Sequence, residues 1–239
     1  MGSQENILIE TITNPDDFEG CFRAQANAFG HQTHDAIWIA FNPGWDTPEG
    51  AKAGVERLKG RFKSVNQNRD GKPNTVFIKA TVDGTIAGMV IWHQASVVEG
   101  WGDAPGDITK GTFLEDLYPG NKTEQRFLAQ ADKSLFKRRG EIIREKATAS
   151  PPAVFVMDIC AVDPKFQRRG IAKKLVQWGL DEAVRRGNLE CVTEGSSMGR
   201  LVYLQQGFKP DGDETVYEMD EEFKDRELPS NIVLRTGGQ

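Results

Sequence analysis

Cysteine and histidine are scarce in this chain, three of each among 239 residues. Cys21, Cys160 and Cys191 show no Cys-x-x-Cys spacing and no histidine beside them, so neither a disulfide framework nor a zinc site is indicated. A thiol nucleophile at Cys160 finds no histidine near it in sequence, whereas a small buried residue suits the apolar stretch around it. His31 and His34 stand without the further ligands that would hold a metal. Long apolar runs are missing too: none reaches the roughly 20 residues that cross a bilayer, and the start of the chain lacks a charged-then-apolar signal layout. Met1-Gly2 opens like a lipidation site, but Asn6 stands where Ser or Thr is required. A cytoplasmic protein is expected, with the nucleus also open, and no membrane partner. Basic residues are not in excess either, since the net charge is -5 and the pI about 5.4. Lys137-Arg138-Arg139, the densest basic run, reads as a solvated helix end, and no nucleic-acid partner is expected. Repeats and low-complexity tracts do not occur.

What the chain does contain is organised around Phe155 to Ala172. An apolar run, Ala153 to Val162, is broken only by Asp158 and stops at Asp163-Pro164, as a strand ending in a turn would. Gln167-Arg168-Arg169-Gly170-Ile171-Ala172 follows, and from Ile171 the residues Leu175, Trp178 and Glu182 recur at helical spacing up to Arg185-Arg186-Gly187. A strand, a tight turn and a helix N-terminus expose backbone N–H groups that have no intrahelical partner, in a field that favours anions. Gly170 permits a conformation or an approach that a side chain would block, Ala172 is small for the same reason, and Arg168 and Arg169 add charge. A diphosphate is the ligand expected there.

A second motif lies downstream. A short apolar strand near Leu189 to Thr193 leads into a short helix that closes at Gly207-Phe208, with Tyr203 four residues before the glycine. The two motifs, Gln167 to Ala172 after Ala161-Val162-Asp163-Pro164 and Tyr203 to Phe208, resemble in order and spacing the acetyl-coenzyme A motif and the Tyr-x-x-x-Gly-Phe ending of the Gcn5-related N-acetyltransferases (GNAT). The resemblance implies an α/β fold with a mixed, mostly antiparallel central sheet of six to seven strands flanked by helices, and acetyl-CoA as co-substrate with no metal. It also implies that the pyrophosphate rests on Gln167, Arg168, Arg169, Gly170, Ile171 and Ala172, and that the pantetheine arm runs along Cys160, Ala161 and Val162. Ser196 stands where many relatives carry an asparagine that contacts the cofactor, a departure that a hydroxyl could still serve.

Taken in order, Ile7 to Ile12 reads as a first strand and Phe18 to Phe29 as a helix begun at Asn14-Pro15. An aromatic stretch with Trp38, Phe41 and Trp45 follows, in a region that borders the acceptor in the family, then a helix from Thr47 to about Phe62. Thr75 to Val82 and Thr85 to His93 are two strands joined at Asp83-Gly84, a favoured hairpin turn. Length fits one well-buried domain over 1–239, with a loop-helix insertion at about 96–152 where the family has a short connection. Its second part, Thr123 to about Ala147, is expected to form a helical lid beside the acceptor side of the sheet, with surface decoration or a dimer contact as the alternative. Thr215 to Met219 and Asn231 to Arg235 read as the last strands.

A thioester is already activated, so the site has only to align the amine and manage protons. Tyr203 is the candidate general acid, because a phenol of pKa about 10 stays protonated where a thiol of about 8.5 is released. Asp158 is the only ionisable residue in the central strand and the candidate base, a structural ion pair being the alternative; by alternation it shares a face with Val156 and Cys160. Glu194 competes for that role. The expected activity is transfer of an acetyl group to a small-molecule amine by direct attack in a ternary complex, by a monomer or homodimer. A protein or peptide acetyltransferase and a non-catalytic CoA-binding module are the alternatives.

Overall fold

The computed structural model describes residues 6–237; the expectation attached to Met1-Gly2 lies outside the described residues. Seven strands form one sheet: β1 (Ile7–Thr11), β2 (Thr75–Val82), β3 (Thr85–Ala95), β4 (Val154–Val162), β5 (Glu190–Ser196), β6 (Lys209–Glu214) and β7 (Asn231–Arg235). Their spatial order is β1-β2-β3-β4-β5-β7-β6, and every pairing is antiparallel except β4 with β5. The helices are α1 (Asp17–Gln25), α2 (Ala36–Phe41), α3 (Pro48–Lys63), α4 (Phe113–Leu117), α5 (Lys122–Glu145), α6 (Ile171–Arg185) and α7 (Gly199–Gln205). None of the helices among the described residues is long and apolar enough to cross a membrane.

Local chemistry accounts for most boundaries. Asp83 and Gly84 both take positive φ, 47° and 80°, the geometry of the two-residue turn that matches the twist of β2 and β3. Thr47 caps α3 by accepting from Gly50 N, with Pro48 in the first turn, and Asn121 caps α5 by accepting from Glu124 N. Beyond Gln25 the first helix does not stop near Phe29 but widens into π-helical turns over Ala26–Gln32.

Two apolar layers sandwich the sheet. On one face α6 covers β1 to β5 through Ile171, Leu175, Val176 and Ala183, over a stack of Trp92 on Phe155 with centroids 5.2 Å apart. On the other, Phe18, Cys21 and Phe22 of α1 and Val55 of α3 meet Phe77, Met89 and Ile91. The inserted helix α5 joins this second face, setting Ile142 and Ile143 on Val154, Val156, Val192 and Val233.

Two expectations are corrected. Ile91 pairs with Ile159 and Trp92 with Met157, so Asp158 is an extra residue in a β-bulge. One added residue reverses the alternation: Phe155 and Met157 belong to the α6 layer before the bulge, Cys160 and Val162 after it, and Cys160 does not share a face with Val156. Secondly, the sixth strand is Lys209–Glu214 rather than Thr215 to Met219. The latter segment is extended, but its partner is a helix: Glu218 N donates to Ser134 Oγ (3.0 Å) and Asp220 N to Gln130 Oε1 (2.9 Å), while Tyr217 and Met219 pack with Ile37, Ala131 and Leu135.

The crossing of α6 over the sheet is closest at Gly179, where an added Cβ would stand 1.9 Å from Cε2 of the fully buried Trp92. Alanine normally strengthens a helix by about 1 kcal/mol relative to glycine. Gly179→Ala should instead lower stability by about 1–3 kcal/mol through overpacking. Denaturant unfolding checks this, and an unchanged or raised midpoint would show that the indole yields freely.

Candidate active site

The parallel ladder between β4 and β5 is short, running from Val154↔Glu190 to Val156↔Val192. Thr193 Oγ1 donates to Met157 O (2.9 Å) at its end, and β5 then continues along β7 as far as Ser196↔Asn231. Past the bulge, therefore, β4 keeps β3 on one edge and has no strand on the other. The fork opens into a cavity of about 1780 Å³. A pocket for one drug-sized ligand holds about 300–1,000 Å³, so this one has room for an elongated co-substrate and an acceptor together.

At the far end of β4 the chain forms the anion cradle. Asp163, almost fully buried, accepts from Lys165 N (2.9 Å) and from Asn27 Nδ2 (2.6 Å) of the π-helical turns. Gln167 exchanges amide hydrogen bonds with Gln32 (2.8 and 3.1 Å) and donates to Val162 O (3.0 Å). Arg168 and Gly170 are both left-handed, with φ 64° and 79°. That conformation is costly for a residue with a side chain and tends to persist where surrounding structure enforces it for function. The first turn of α6 has no capping side chain and no acidic residue, so the amides of Ile171, Ala172 and Lys173 are available to an anion. A Cβ at Gly170 would meet nothing within 4 Å, so the cradle is open in front and fits a diphosphate.

Most of the expected cofactor contacts share this one cavity: Cys160, Ala161, Val162, Gln167, Arg168, Gly170, Ile171, Ala172 and Ser196 all line it. Ile171 is buried under the sheet and offers only its amide. The guanidinium of Arg169 donates to Lys165 O (2.9 Å) and sits 5.3 Å over Phe166, supplying charge beside the cradle rather than a wall of it. Ser196 Oγ accepts from Gly199 N (3.2 Å), which starts α7 and leaves the hydroxyl proton to donate. Lys173, which the motif did not single out, lines the cavity from the first turn of α6.

Tyr203 reaches into the fork from α7. Its hydroxyl hydrogen-bonds the Cys160 thiol, and burial holds the phenol well above its ordinary pKa. Cys160 is itself pushed up to about 12 by burial, so it remains a neutral thiol and not a nucleophile. Below the fork lies an ion cluster. Arg139 of α5, buried, donates to Asp158 (2.9 Å) and grips both oxygens of Glu194, one of them at 3.0 Å, while Arg61 of α3 reaches the other oxygen of Asp158 (2.7 Å). Against the cost of its burial, these two guanidiniums hold the Asp158 carboxyl well below the usual carboxylate range. A carboxylate so held has little affinity for a proton at neutral pH, so the structural ion pair fits Asp158 better than the role of base. Glu194 is bound into the same cluster, its burial raising its pKa. His93 is kept neutral by burial, its pKa lowered to about 4.

Sequence reasoning missed Arg139 by grouping it with its neighbours. Lys137 pairs with Glu218 and Arg138 with Asp211 at the surface, but Arg139 continues the apolar stripe Ala131, Leu135, Ile142, where a charged residue sits only when partnered. Among the described residues no three His, Cys, Asp or Glu side chains gather as metal ligands would.

A forked, mostly antiparallel sheet with an anion cradle at the mouth of the fork defines an acyltransferase. The sequence matches the family model for the acetyltransferase (GNAT) family over residues 31–208, and the chain belongs to that family. Among solved structures it is similar in fold to arylalkylamine N-acetyltransferase 2 from Aedes aegypti (20% identity, TM-score 0.60, covering 96% of this chain and 98% of that one). It is likewise similar to the mosquito arylalkylamine N-acetyltransferase like 5b (13%, 0.58, 96% and 99%) and to a variant of agmatine N-acetyltransferase in its apo form (13%, 0.55, 96% and 98%). No curated protein matches the sequence.

Two outcomes follow from this geometry. Gly170→Glu should abolish coenzyme A binding, because a residue with a side chain must hold its backbone at a φ of 79° there and sets a negative charge in the cradle; a dissociation constant equal to wild type in a calorimetric titration would contradict the cradle. Arg139→Met should cost about 3–5 kcal/mol at neutral pH by leaving buried carboxylates without their partner. The folded-state pKa of Asp158 is depressed, so its ion pairs contribute stability above its ordinary pKa of 3.8 and lose it as pH falls further. The gap in unfolding free energy between wild type and variant should therefore narrow below that pH.

Proposed function

We propose that this chain transfers an acetyl group from acetyl-CoA to the amine of a small molecule, by direct attack in a ternary complex. The observation that carries the reading is that the anion cradle, the free edge of β4 and the buried phenol of Tyr203 all open into one cavity large enough for both substrates. The diphosphate of the co-substrate would be held by the amides from Gln167 to Ala172, with Arg168, Arg169 and Lys173 adding positive charge. Its arm would then lie along Cys160, Ala161 and Val162 in place of the missing strand. Backbone donors on that edge would steady the thioester oxygen as it becomes anionic, an effect of about 3 kcal/mol per donor.

The neutral amine attacks the thioester carbon, the carbon–sulfur bond breaks, and Tyr203 protonates the departing thiolate. Burial that raises the Cys160 thiol would also raise the basicity of a thiolate released beside it, while the Tyr203 phenol, held well above its ordinary pKa by the same burial, stays protonated and available to donate. With Asp158 committed to Arg61 and Arg139, the proton shed by the nitrogen leaves through the solvent of the cavity mouth. A small acceptor is favoured over a peptide because α5 walls the cavity with Leu135, Phe136, Arg139 and Ile143 instead of leaving an open groove. The arylalkylamine and agmatine N-acetyltransferases whose fold it shares are named for small amine acceptors, which supports the same choice.

Incubation with acetyl-CoA and a panel of amines, read by release of free thiol, tests the reading. Turnover with small amines is expected; turnover with peptides alone, or tight coenzyme binding without turnover, would replace it. Tyr203→Phe should lower kcat by about tenfold to a thousandfold with coenzyme affinity kept. An unchanged kcat would remove Tyr203 from the mechanism.

A further inference from the structure

Asp132, on the inserted helix α5, lines the cavity and has a task that none of the chemistry above assigns. Most other carboxylates at the site are already engaged, Asp158 and Glu194 by guanidiniums, Asp163 by a backbone amide and Asn27, Asp35 by the amides of Ile37 and Trp38 that it caps, while Glu227, which also lines the cavity, is exposed to solvent. Asp132 is mostly buried, yet among the described residues it makes no hydrogen bond and no ion pair. Burial is the main cause that carries its carboxyl up to about 7. The charged groups that act on it are Arg139 on its own helix, Asp158 on β4 and Asp107 in the loop before α4, the two acids raising its pKa further. A carboxyl held in this way is costly to ionise alone and becomes a full carboxylate when a cation is placed against it.

Its position along α5 says which cation. Asp132 and Arg139 are seven residues apart, about two turns on one face, so about 10 Å separates them along the axis. Arg139 is pinned at the root of the fork, where the thioester would lie, and the attacking nitrogen must be there and neutral. Asp132 stands about two turns nearer the start of α5, where a group carried about 10 Å from that nitrogen would meet it. Beside it, one turn on, is Phe136, and the rings of Phe41 and Phe113, with centroids 6.2 Å apart, share the cavity and offer a wall to an alkyl or aryl body.

We infer that Asp132 is the specificity-determining residue of the acceptor site, holding a second, non-reacting cationic group of the acceptor, which is thus a diamine or an amine with a guanidinium tail. This rests on the acetyl-transfer reading for the nitrogen at the other end, and the two can be tested apart. With hexane-1,6-diamine against hexylamine as acceptors, wild type should favour the diamine in kcat/KM. Asp132→Asn should lower that preference by about tenfold to a hundredfold, through KM with kcat little changed, in keeping with loss of a charged hydrogen-bond partner. Asp132→Glu should recover part of it, and the unfolding midpoint of neither variant should fall below that of wild type. A preference that is absent in wild type, or equal in wild type and Asp132→Asn, would overturn the assignment, as would a fall in kcat alike for both amines. Calorimetric titration of hexane-1,6-diamine into the full chain gives a readout independent of turnover: binding that Asp132→Asn weakens, in a protein that acetylates no amine, would sink the acetyl-transfer reading and keep this one. Binding indifferent to the substitution would sink this one.

Discussion

One guanidinium sets the geometry of the site. Arg139 leaves the inserted helix and holds Asp158 and Glu194, each two positions past Val156↔Val192, the last pair of the β4–β5 ladder. Two carboxylates buried at the root of a fork would repel each other and the surrounding apolar layers. The shared cation lets the strands stay close below that point and diverge above it. It also sets α5 at a fixed height over the sheet. An insertion that would otherwise be decoration thus becomes the cavity wall.

The bulge at Asp158 does related work by another route. Because it flips the alternation of β4, the acidic side chain faces the arginines, while Cys160 two residues on meets Tyr203 on the opposite layer. A regular strand would have sent Cys160 to the α5 side and left the phenol without a partner there. Farther along the same strand, the π-helical turns after α1 bring Asn27 and Gln32 to Asp163 and Gln167, so the cradle is braced from the other side of the sheet. The bulge at Asp158, the π-helical turns and the left-handed Arg168 and Gly170 all lie around the fork and its mouth.

What could be read from sequence was what is local. Asp83-Gly84, the run from Gln167 to Ala172, and Gly207-Phe208 each specify a turn or a helix end through their own backbone preferences, and the structure has a turn or helix end at each. What could not be read depends on partners far along the chain. Alternation at Thr215 to Met219 is real, since Tyr217 and Met219 point inward and Val216 outward, but periodicity says nothing of whether the neighbour is a strand or the flank of α5. Arg139 looks like Arg138 until Glu194, fifty-five residues away, is placed beside it. Asp158 has the same composition cues whether it ends a proton relay or neutralises two arginines, and only geometry separates them.

Three rungs of parallel ladder, from Val154↔Glu190 to Val156↔Val192, are the strand pairing that stitches β1 to β4 onto β5 to β7, with the Thr193–Met157 hydrogen bond and the Arg139 bridge just beyond them. The sheet is in effect two leaves joined along a narrow seam, with the chain from α6 crossing behind and α5 in front. A molecule seated in the gap would lengthen that seam by the number of amides it engages, so occupancy adds cohesion to the whole fold as well as to the place it fills. Substrate, in such an architecture, is also mortar.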